Sequence, residues 1–138
     1  MEKTLSFIKP HLVKQNKIGE VIAMLEAAGL SLIAAKMIHL TKEEAEDFYS
    51  VHKGKHFFDI LVSSIIAGPI FVMALQAPQA IQKNREVMGA TDPKKAAPGT
   101  IRALFGNMEN MEQNAVHGSD APETAVREIS FFFSELDL

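Results

Sequence analysis

The sequence predicts an α+β fold in which helices cover an antiparallel sheet of four strands. Short apolar segments of strand length alternate with amphipathic helical segments in the order β-α-β-α-α-β-α-loop-β-α. The length of 138 residues is about that of one domain, and 47% hydrophobic with 22% charged residues is ordinary for a globular protein. The order contains the β-α-β-β-α-β unit of the split βαβ, ferredoxin-like sandwich. We therefore expect a single domain over residues 1–138 with that fold and with a long loop before the last strand.

The pattern begins with a strand at residues 4–8. Pro10 ends this strand, because proline lacks the N–H that a sheet ladder needs. A helical stripe with the spacing i, i+3, i+4, i+7 follows and consists of Ile18, Val21, Ile22 and Leu25. Gly29 can adopt the left-handed conformation that ends a helix, and the apolar residues 30–40 are predicted to form the second strand.

A capping box predicts the start of the next helix, because Thr41 and Glu44 can each satisfy a free backbone N–H of the other. The apolar spacing within residues 57–65 indicates a further helix. The apolar run 70–75 lies between turn-forming residues and is predicted to be a buried strand.

The last part of the chain alternates between regular and irregular patterns. Pro78 is predicted to occupy the first turn of a helix that ends at Gly89. Residues 90–113 contain several Pro and Gly residues and little periodicity, so they predict a long loop. A short strand at residues 114–117 and a final helix opened by Asp120 complete the order. One face of that helix is expected to carry Val126, Ile129 and Phe133.

The composition limits the classes of function. With 14 basic and 17 acidic residues, the formal net charge of -3 does not favour binding to nucleic acid or to an acidic membrane. The absence of cysteine excludes disulfides, thiolate zinc sites and a cysteine nucleophile. No segment approaches the roughly 20 apolar residues that span a bilayer, and no secretory signal follows Met1. A cytoplasmic location is expected.

Basic residues that could hold phosphates lie near the ends of predicted segments. Lys9 follows the first strand, Arg85 lies near a helix end, and Thr91 and Arg102 lie in the long loop. Guanidinium groups bind phosphate oxygens in pairs, an ammonium adds a point charge, and a hydroxyl adds a donor. Taken singly, each of these residues is also a common solvated surface residue, and the chain has no glycine-rich phosphate loop.

A histidine at the end of a strand has the most direct link to chemistry. His117 ends the short strand, Gly118 permits a close approach, and Ser119 or Asp120 can cap the helix that follows. An imidazole beside a helix N-terminus, where anions are favoured, suits nucleophilic attack on phosphate. The alternative is a structural histidine that is held by hydrogen bonds.

The segment from Asn114 to Asp120, NAVHGSD, resembles the active-site signature of nucleoside diphosphate kinases. Other segments resemble that family in the same order along nearly the whole chain: Lys9-Pro10, Phe48-Tyr49, Phe57-Phe58, Ser64 to Pro69, Arg85 to Thr91, Pro98 to Arg102 and Glu128-Ile129. Each segment is common alone, whereas the whole series in one order is specific to the family.

The resemblance implies an ATP-dependent phosphotransferase with a ping-pong mechanism. His117 would take the γ-phosphoryl group of a nucleoside triphosphate on Nδ1, the atom that the family uses, and would give it to a nucleoside diphosphate. Mg²⁺ would arrive on the nucleotide, since this ion typically keeps waters and binds through phosphates. The other implied roles are Arg85, Thr91 and Arg102 at the phosphates, Lys9 and Asn114 at the sugar hydroxyls, Tyr49 beside the phosphates, Phe57 stacked on the base, and Glu128 with Ser119 orienting the imidazole.

Several positions depart from the family's pattern. His11 stands where members usually have Asp, Lys55-His56 replaces a basic residue followed by Pro, and Asp92 replaces an Asn. The run from Arg102 to Asn114 is longer than expected, and the corresponding loop forms subunit contacts in hexameric members. The resemblance therefore implies a homo-oligomer and leaves tetramer, hexamer and dimer open.

Three other interpretations are weaker. An RNA-binding module with this fold predicts aromatic residues on the middle strands and a basic face, whereas the strands offer Phe7 and Phe71 and the net charge is negative. A phosphocarrier that has lost turnover predicts damaged site residues, and every assigned position carries the expected residue type. His52 and His56 have the i, i+4 spacing of a zinc pair but no third ligand nearby in the sequence.

Overall fold

The computed structural model describes residues 1–134 and contains four strands and seven helices within that range. The strands are β1 (Glu2–Ile8), β2 (Ser31–Ile38), β3 (Ile70–Ala77) and β4 (Val116–Gly118). The helices are α1 (Pro10–Lys14), α2 (Ile18–Ala27), α3 (Lys42–Phe48), α4 (Phe58–Ile66), α5 (Ala80–Met88), α6 (Ile101–Phe105) and α7 (Pro122–Phe132). Short 3-10 turns lie at Ser50–His52, Pro93–Lys95 and Met111–Gln113. Within residues 1–134, no helix has the length and apolar character that a membrane crossing requires.

The four strands form one antiparallel sheet in the order β2-β3-β1-β4. This arrangement confirms the predicted α+β, ferredoxin-like fold. Strand β1 is central, so Phe7 lies opposite Val72 of β3 on one side and opposite His117 of β4 on the other. The pairing with β1 therefore holds the short strand β4, which carries the candidate nucleophile, against the middle of the sheet.

Helices cover both faces of the sheet and bury two apolar clusters. Because side chains alternate along a strand, Phe7 and Ile8 of β1 point to opposite clusters. The Phe7 cluster lies under α3, α4 and α7, and the Ile8 cluster lies under α1, α2, α5 and α6. The face that Phe7 occupies is also the face of His117, its cross-strand neighbour.

Two of the predicted helix boundaries are confirmed by their capping geometry. The hydroxyl of Thr41 accepts the backbone N–H of Glu44 at 3.1 Å, and the Glu44 carboxylate accepts the N–H of Thr41 at 2.8 Å. This is the reciprocal capping box that the sequence predicted for the start of α3. Gly89 follows α5 with φ +87°, a left-handed conformation that ends the helix.

The start of α5 differs from the prediction. Pro78 lies in the turn before the helix, which begins at Ala80 after Gln79 in a left-handed conformation with φ +54°. The carboxylate of Glu2 accepts the backbone N–H of Ile81 at 2.9 Å. A side chain from strand β1 therefore satisfies the first turn of α5, and the local proline pattern could not reveal a partner so distant in the chain.

The predicted long loop at residues 90–113 is partly helical. Thr100 caps the five-residue helix α6, because its hydroxyl accepts the N–H of Ala103 at 3.3 Å. A helix of this length is too short for periodicity to reveal. The short helix α1 after β1 was missed for the same reason.

Two details of the last helix also correct the predictions. The N-cap residue of α7 is Ala121, and neither Ser119 nor Asp120 caps the helix. The hydroxyl of Ser119 is instead bound to Glu128. The predicted apolar face of this helix included Val126, but its side chain is 58% exposed, whereas Ile129 is buried.

Candidate active site

His117 lies on β4 between two phenylalanine rings. Its imidazole stacks on Phe7 with a centroid distance of 4.8 Å and an interplanar angle of 20°. The ring of Phe48 meets it edge to face at 5.4 Å and 76°. The side chain of His117 is 21% exposed, so one part of the imidazole is accessible while its faces are fixed by packing.

A buried carboxylate binds one nitrogen of this imidazole. Glu128 of α7 is 5% exposed, and its Oε1 lies 2.9 Å from Nε2 of His117. The same oxygen accepts a hydrogen bond from the hydroxyl of Ser119 at 2.7 Å. A carboxylate that accepts from Nε2–H favours the tautomer in which Nδ1 carries the lone pair. Among residues 1–134, Nδ1 has no hydrogen-bond partner, so it is available to an electrophile.

The imidazole opens into a cavity of about 410 Å³ that α3, the following turn and α7 enclose. Tyr49 lines this cavity and is 6% exposed. Burial raises the pKa of the Tyr49 phenol well above its usual range, and the charge of Glu128 adds to this rise. Tyr49 is therefore a neutral hydroxyl beside the histidine at physiological pH.

The chain reaches β4 through a tight turn with an unusual backbone. Ala115 has φ +75°, and the N–H of Val116 donates to the carbonyl oxygen of Asn114 at 2.9 Å. A positive φ with an i to i+2 hydrogen bond describes a rare and strained γ-turn. The N–H of Lys9 donates to the carbonyl oxygen of Ala115 at 2.9 Å and links the turn to the end of β1.

A buried guanidinium holds both sides of this turn. Nε of Arg102 donates to the carbonyl oxygen of Asn114 at 3.2 Å, and Nη2 donates to that of Val116 at 2.8 Å. Nη1 donates to the carbonyl oxygen of Gly89 at 3.0 Å. Arg102 is 8% exposed, and burial lowers its pKa to about 10, with a further contribution from the nearby charge of Arg85. Arg102 stays cationic at neutral pH and joins α5, α6 and β4.

Lys9 and Asn114 form a second buried polar contact. Nζ of Lys9 donates to Oδ1 of Asn114 at 2.7 Å and to the carbonyl oxygen of Glu112 at 3.3 Å. Nδ2 of Asn114 donates to the carbonyl oxygen of Thr91 at 2.9 Å. Burial, followed by the charge of Arg102, lowers the pKa of Lys9 to about 7, although Glu112 opposes this shift. Any additional negative charge beside Lys9 therefore stabilises its protonated form and raises its pKa.

The remaining predicted residues lie at the edge of this arrangement. Arg85 and Thr91 are exposed, and the charge of Arg85 contributes to the lowered pKa of Arg102. Phe57 is half-buried, and the rings of His52 and His56 each lie 5.3 Å from its ring. These two histidines therefore pack on a phenylalanine, and residues 1–134 contain no cluster of three or more His, Cys, Asp or Glu side chains that could hold a metal ion.

Sequence reasoning missed three residues that shape the site. Phe7 supplies the ring on which His117 stacks, and strand pairing could have indicated it only after β4 was placed beside β1. Arg127 donates to the carbonyl oxygens of Asp47 and Phe48 and so fixes the C-terminal end of α3 beside the cavity. His11 accepts a backbone hydrogen bond from the γ-turn, and its departure from the family's pattern was the only signal in the sequence.

Comparisons with known proteins agree on one family. The family model "Nucleoside diphosphate kinase" matches residues 2–138. A nucleoside diphosphate kinase of Bordetella pertussis is 55% identical over 138 residues, which cover 100% of this chain and 96% of the relative. A nucleoside diphosphate kinase 2 of Protochlamydia amoebophila is 56% identical over the same length and is covered to 95%.

Solved structures of the same family have the same fold. The nucleoside diphosphate kinase of Aquifex aeolicus is similar with a TM-score of 0.93 and 38% identity, and the match covers 99% of this chain and 98% of that one. A halophilic nucleoside diphosphate kinase from Halobacterium salinarum, solved in complex with CDP, has a TM-score of 0.92 and 39% identity, with 99% and 92% covered.

Proposed function

Because this chain belongs to the nucleoside diphosphate kinase family and is a phosphotransferase that works through a phosphohistidine, we propose that Nδ1 of His117 carries the phosphoryl group. The observation that supports this assignment is the hydrogen bond of Nε2 to Glu128, which leaves Nδ1 free among the described residues. The reaction moves the γ-phosphoryl group of a nucleoside triphosphate, mainly ATP, to a nucleoside diphosphate.

The proposed chemistry balances in two half reactions. The lone pair of Nδ1 attacks the γ-phosphorus, the bond from that phosphorus to the β,γ-bridging oxygen breaks, and the nucleoside diphosphate leaves with the electron pair. The imidazole gains positive charge in this step, and the carboxylate of Glu128 stabilises it through Nε2–H. A second diphosphate attacks the phosphohistidine and restores the neutral imidazole. Ser119 holds the carboxylate in place through its hydroxyl.

The remaining nucleotide contacts are proposed from the positions of the other side chains. Cations at Arg85 and Arg102 suit the charge on the transferring phosphoryl group, and the hydroxyl of Thr91 adds a donor. We assign Lys9 and Asn114 to the sugar hydroxyls, with Lys9 also near the phosphates; their mutual contact supports a shared ligand. Tyr49 is assigned to the phosphate side of the cavity as a neutral hydroxyl, and Phe57 to stacking on the base.

Magnesium is proposed to arrive with the nucleotide. Asp120 and Glu123 line the cavity of His117, but two carboxylates do not make an all-protein magnesium cage. The donor set fits an ion that keeps its waters and is bound mainly by phosphates. When bound, Mg²⁺ neutralises phosphate charge during the transfer.

Assembly and location stay predictions. We propose a homo-oligomer, because Ile33 and Met37 on the edge strand β2 are 38% and 52% exposed and together offer an apolar surface. Light scattering distinguishes dimer, tetramer and hexamer by mass. A single domain over residues 1–138 and a cytoplasmic location likewise stay predictions from the sequence.

The experiment that tests the proposed function is a two-step transfer of label. The protein is mixed with Mg²⁺ and γ-labelled ATP, freed of nucleotide, and then given GDP. We expect acid-labile, alkali-stable label on the protein, assigned to Nδ1 of His117 by nuclear magnetic resonance, followed by its discharge as GTP. Label on Nε2, or on another residue, would contradict the assignment of Nδ1 of His117.

Replacing Glu128 with glutamine should slow phosphorylation of His117 by about 10- to 1000-fold, because the amide lacks the charge that stabilises the developing imidazolium. Single-turnover labelling measures this rate constant. Glu123→Gln removes a carboxylate from the wall of the same cavity without touching the imidazole, and it should stay within about threefold of the parent. Equal losses in both variants would mean that only the net charge of the cavity matters.

Nucleotide binding is expected to protonate Lys9. The pKa of Lys9 in the free protein is about 7, below its usual 10.5, so the unfolded chain binds more protons between these values. The contribution of Lys9 to the free energy of unfolding therefore rises with pH from about 7 to about 10.5. Phosphates beside Lys9 raise its pKa again, and at pH 8 binding of a nucleoside diphosphate should take up a large fraction of one proton.

Titration calorimetry in buffers of different ionisation enthalpy measures this proton uptake. Lys9→Met should abolish it, whereas Lys14→Met, which removes an exposed ammonium nearby, should not. An observed enthalpy that is independent of the buffer in the parent protein would contradict the proposed titration of Lys9.

A further inference from the structure

The γ-turn before β4 depends on an acceptor from outside the turn. The N–H of Ala115 donates to Nε2 of His11 at 3.1 Å. His11 lies in the first turn of α1, immediately after Pro10, and is half-buried. This contact joins two segments that are 104 residues apart in the chain.

The three carbonyl oxygens of the turn and the N–H of Val116 already have backbone or arginine partners. The carbonyl oxygen of Ala115 accepts from the N–H of Lys9, and that of Asn114 accepts from Val116 and Arg102. Within residues 1–134, the N–H of Ala115 has His11 as its acceptor and no other. Ala115 is fully buried, so loss of this acceptor would leave a buried donor without water to replace it.

The imidazole of His11 can accept this hydrogen bond only when Nε2 is unprotonated. Its surroundings keep it so, because burial and then the charge of Lys9 lower its pKa to about 4. The cavity wall that contains His11 also presents Lys14 of α1, Asp59 of α4 and Glu112 of the loop before β4. The acceptor is therefore present over the whole physiological range of pH.

We propose that His11 is a positioning residue for phosphoryl transfer, because it holds the strained turn at Ala115 that sets the placement of His117. A non-glycine residue with φ +75° persists only when the surrounding structure holds it in place, and the hydrogen bond to His11 is one of the contacts that do so here. Ala115 lies two positions before the nucleophile and next to Asn114. If the turn relaxes, β4 moves relative to β1, and the distance from Nδ1 to the γ-phosphorus changes. The inference rests on the proposed role of His117.

The test compares variants of the full-length protein that differ in whether residue 11 can accept a hydrogen bond. In His11→Leu, residue 11 is compatible with a helix but has no hydrogen-bond acceptor in its side chain. In His11→Gln, the amide oxygen can accept a hydrogen bond at about the position of Nε2. Single-turnover labelling with γ-labelled ATP should be slowed by about 10- to 100-fold in His11→Leu and should return to within about threefold of the parent in His11→Gln. His39→Leu, which removes an exposed histidine bonded to the carbonyl of Ile66, is the matched control and should label at the parent rate.

Hydrogen exchange provides a second readout that does not depend on catalysis. The amide of Ala115 should exchange at least about 10-fold more slowly than an unstructured amide in the parent, and His11→Leu should remove this protection. An unprotected Ala115 amide in the parent would overturn the proposal, as would a leucine variant that labels as fast as the parent. Equal slowing by leucine and glutamine would show that packing alone matters and would also overturn it. Failure of the parent to label at His117 would instead contradict the proposed function.

Discussion

Replacing His117 with alanine is expected to abolish phosphoryl transfer and to leave the fold intact. We propose Nδ1 of His117 as the atom that forms the covalent intermediate, and no other nucleophile among the described residues occupies its place between Phe7 and Phe48. Turnover should fall by at least about 10⁴-fold, and no acid-labile label should form. Steady-state transfer from ATP to GDP and labelling with γ-labelled ATP measure both effects.

The structural cost of this substitution is expected to be moderate. The imidazole is partly exposed, and its removal takes away a stacking contact with Phe7 and leaves Glu128 bonded to Ser119. Circular dichroism and denaturant unfolding should therefore show a folded protein. His39→Ala removes an exposed histidine on another part of the surface and should retain parent activity. Transfer at the parent rate by His117→Ala would refute the assignment of the nucleophile.

Replacing Arg102 with alanine is expected to damage both stability and catalysis. The guanidinium donates to the carbonyl oxygens of Gly89, Asn114 and Val116 while almost fully buried, so its loss removes one donor from each of these acceptors. The carbonyl oxygen of Asn114 keeps the N–H of Val116 as a donor. The free energy of unfolding should decrease by about 2–4 kcal/mol. The rate of transfer should fall by about 10²- to 10³-fold, because the variant loses a support of the γ-turn and the cation that we propose to stabilise the transferring phosphoryl group.

Two arginine variants separate these contributions. Arg85→Ala removes an exposed cation near Arg102, so it should slow transfer while leaving the denaturant midpoint unchanged. Arg102→Lys keeps the charge, but its three donors lie on one nitrogen, whereas the three carbonyl oxygens are bound by three separate nitrogens of the guanidinium. The lysine variant should therefore recover part of the rate and little of the stability. A full recovery of stability by lysine would show that the charge at this position, rather than the hydrogen bonds of the guanidinium, supports the turn.

Periodicity in the sequence was sufficient for most of the fold. The stripe from Ile18 to Leu25 predicted α2, and the capping residues Thr41 and Glu44 predicted α3, because both signals arise from residues within one turn of each other. The predictions failed where a partner from another secondary-structure element sets the local structure. Glu2 caps α5, so Pro78 lies outside the helix, and Glu128 binds Ser119, so that hydroxyl does not cap α7.

The sequence by itself determined the four-stranded fold and the identity of the candidate nucleophile. The nucleophile could be identified because the motif around His117 matches the residue types of the family position by position. The fold could be predicted because amphipathic spacing indicates which faces of the helices and strands are buried. Only the tertiary structure decided which nitrogen of His117 is free, how Arg102 holds the γ-turn, and that His11 binds the N–H of Ala115. These contacts join residues that are 11, 12 and 104 positions apart, beyond one turn of a helix, and their existence depends on distances that are fixed only when the sheet and helices pack together.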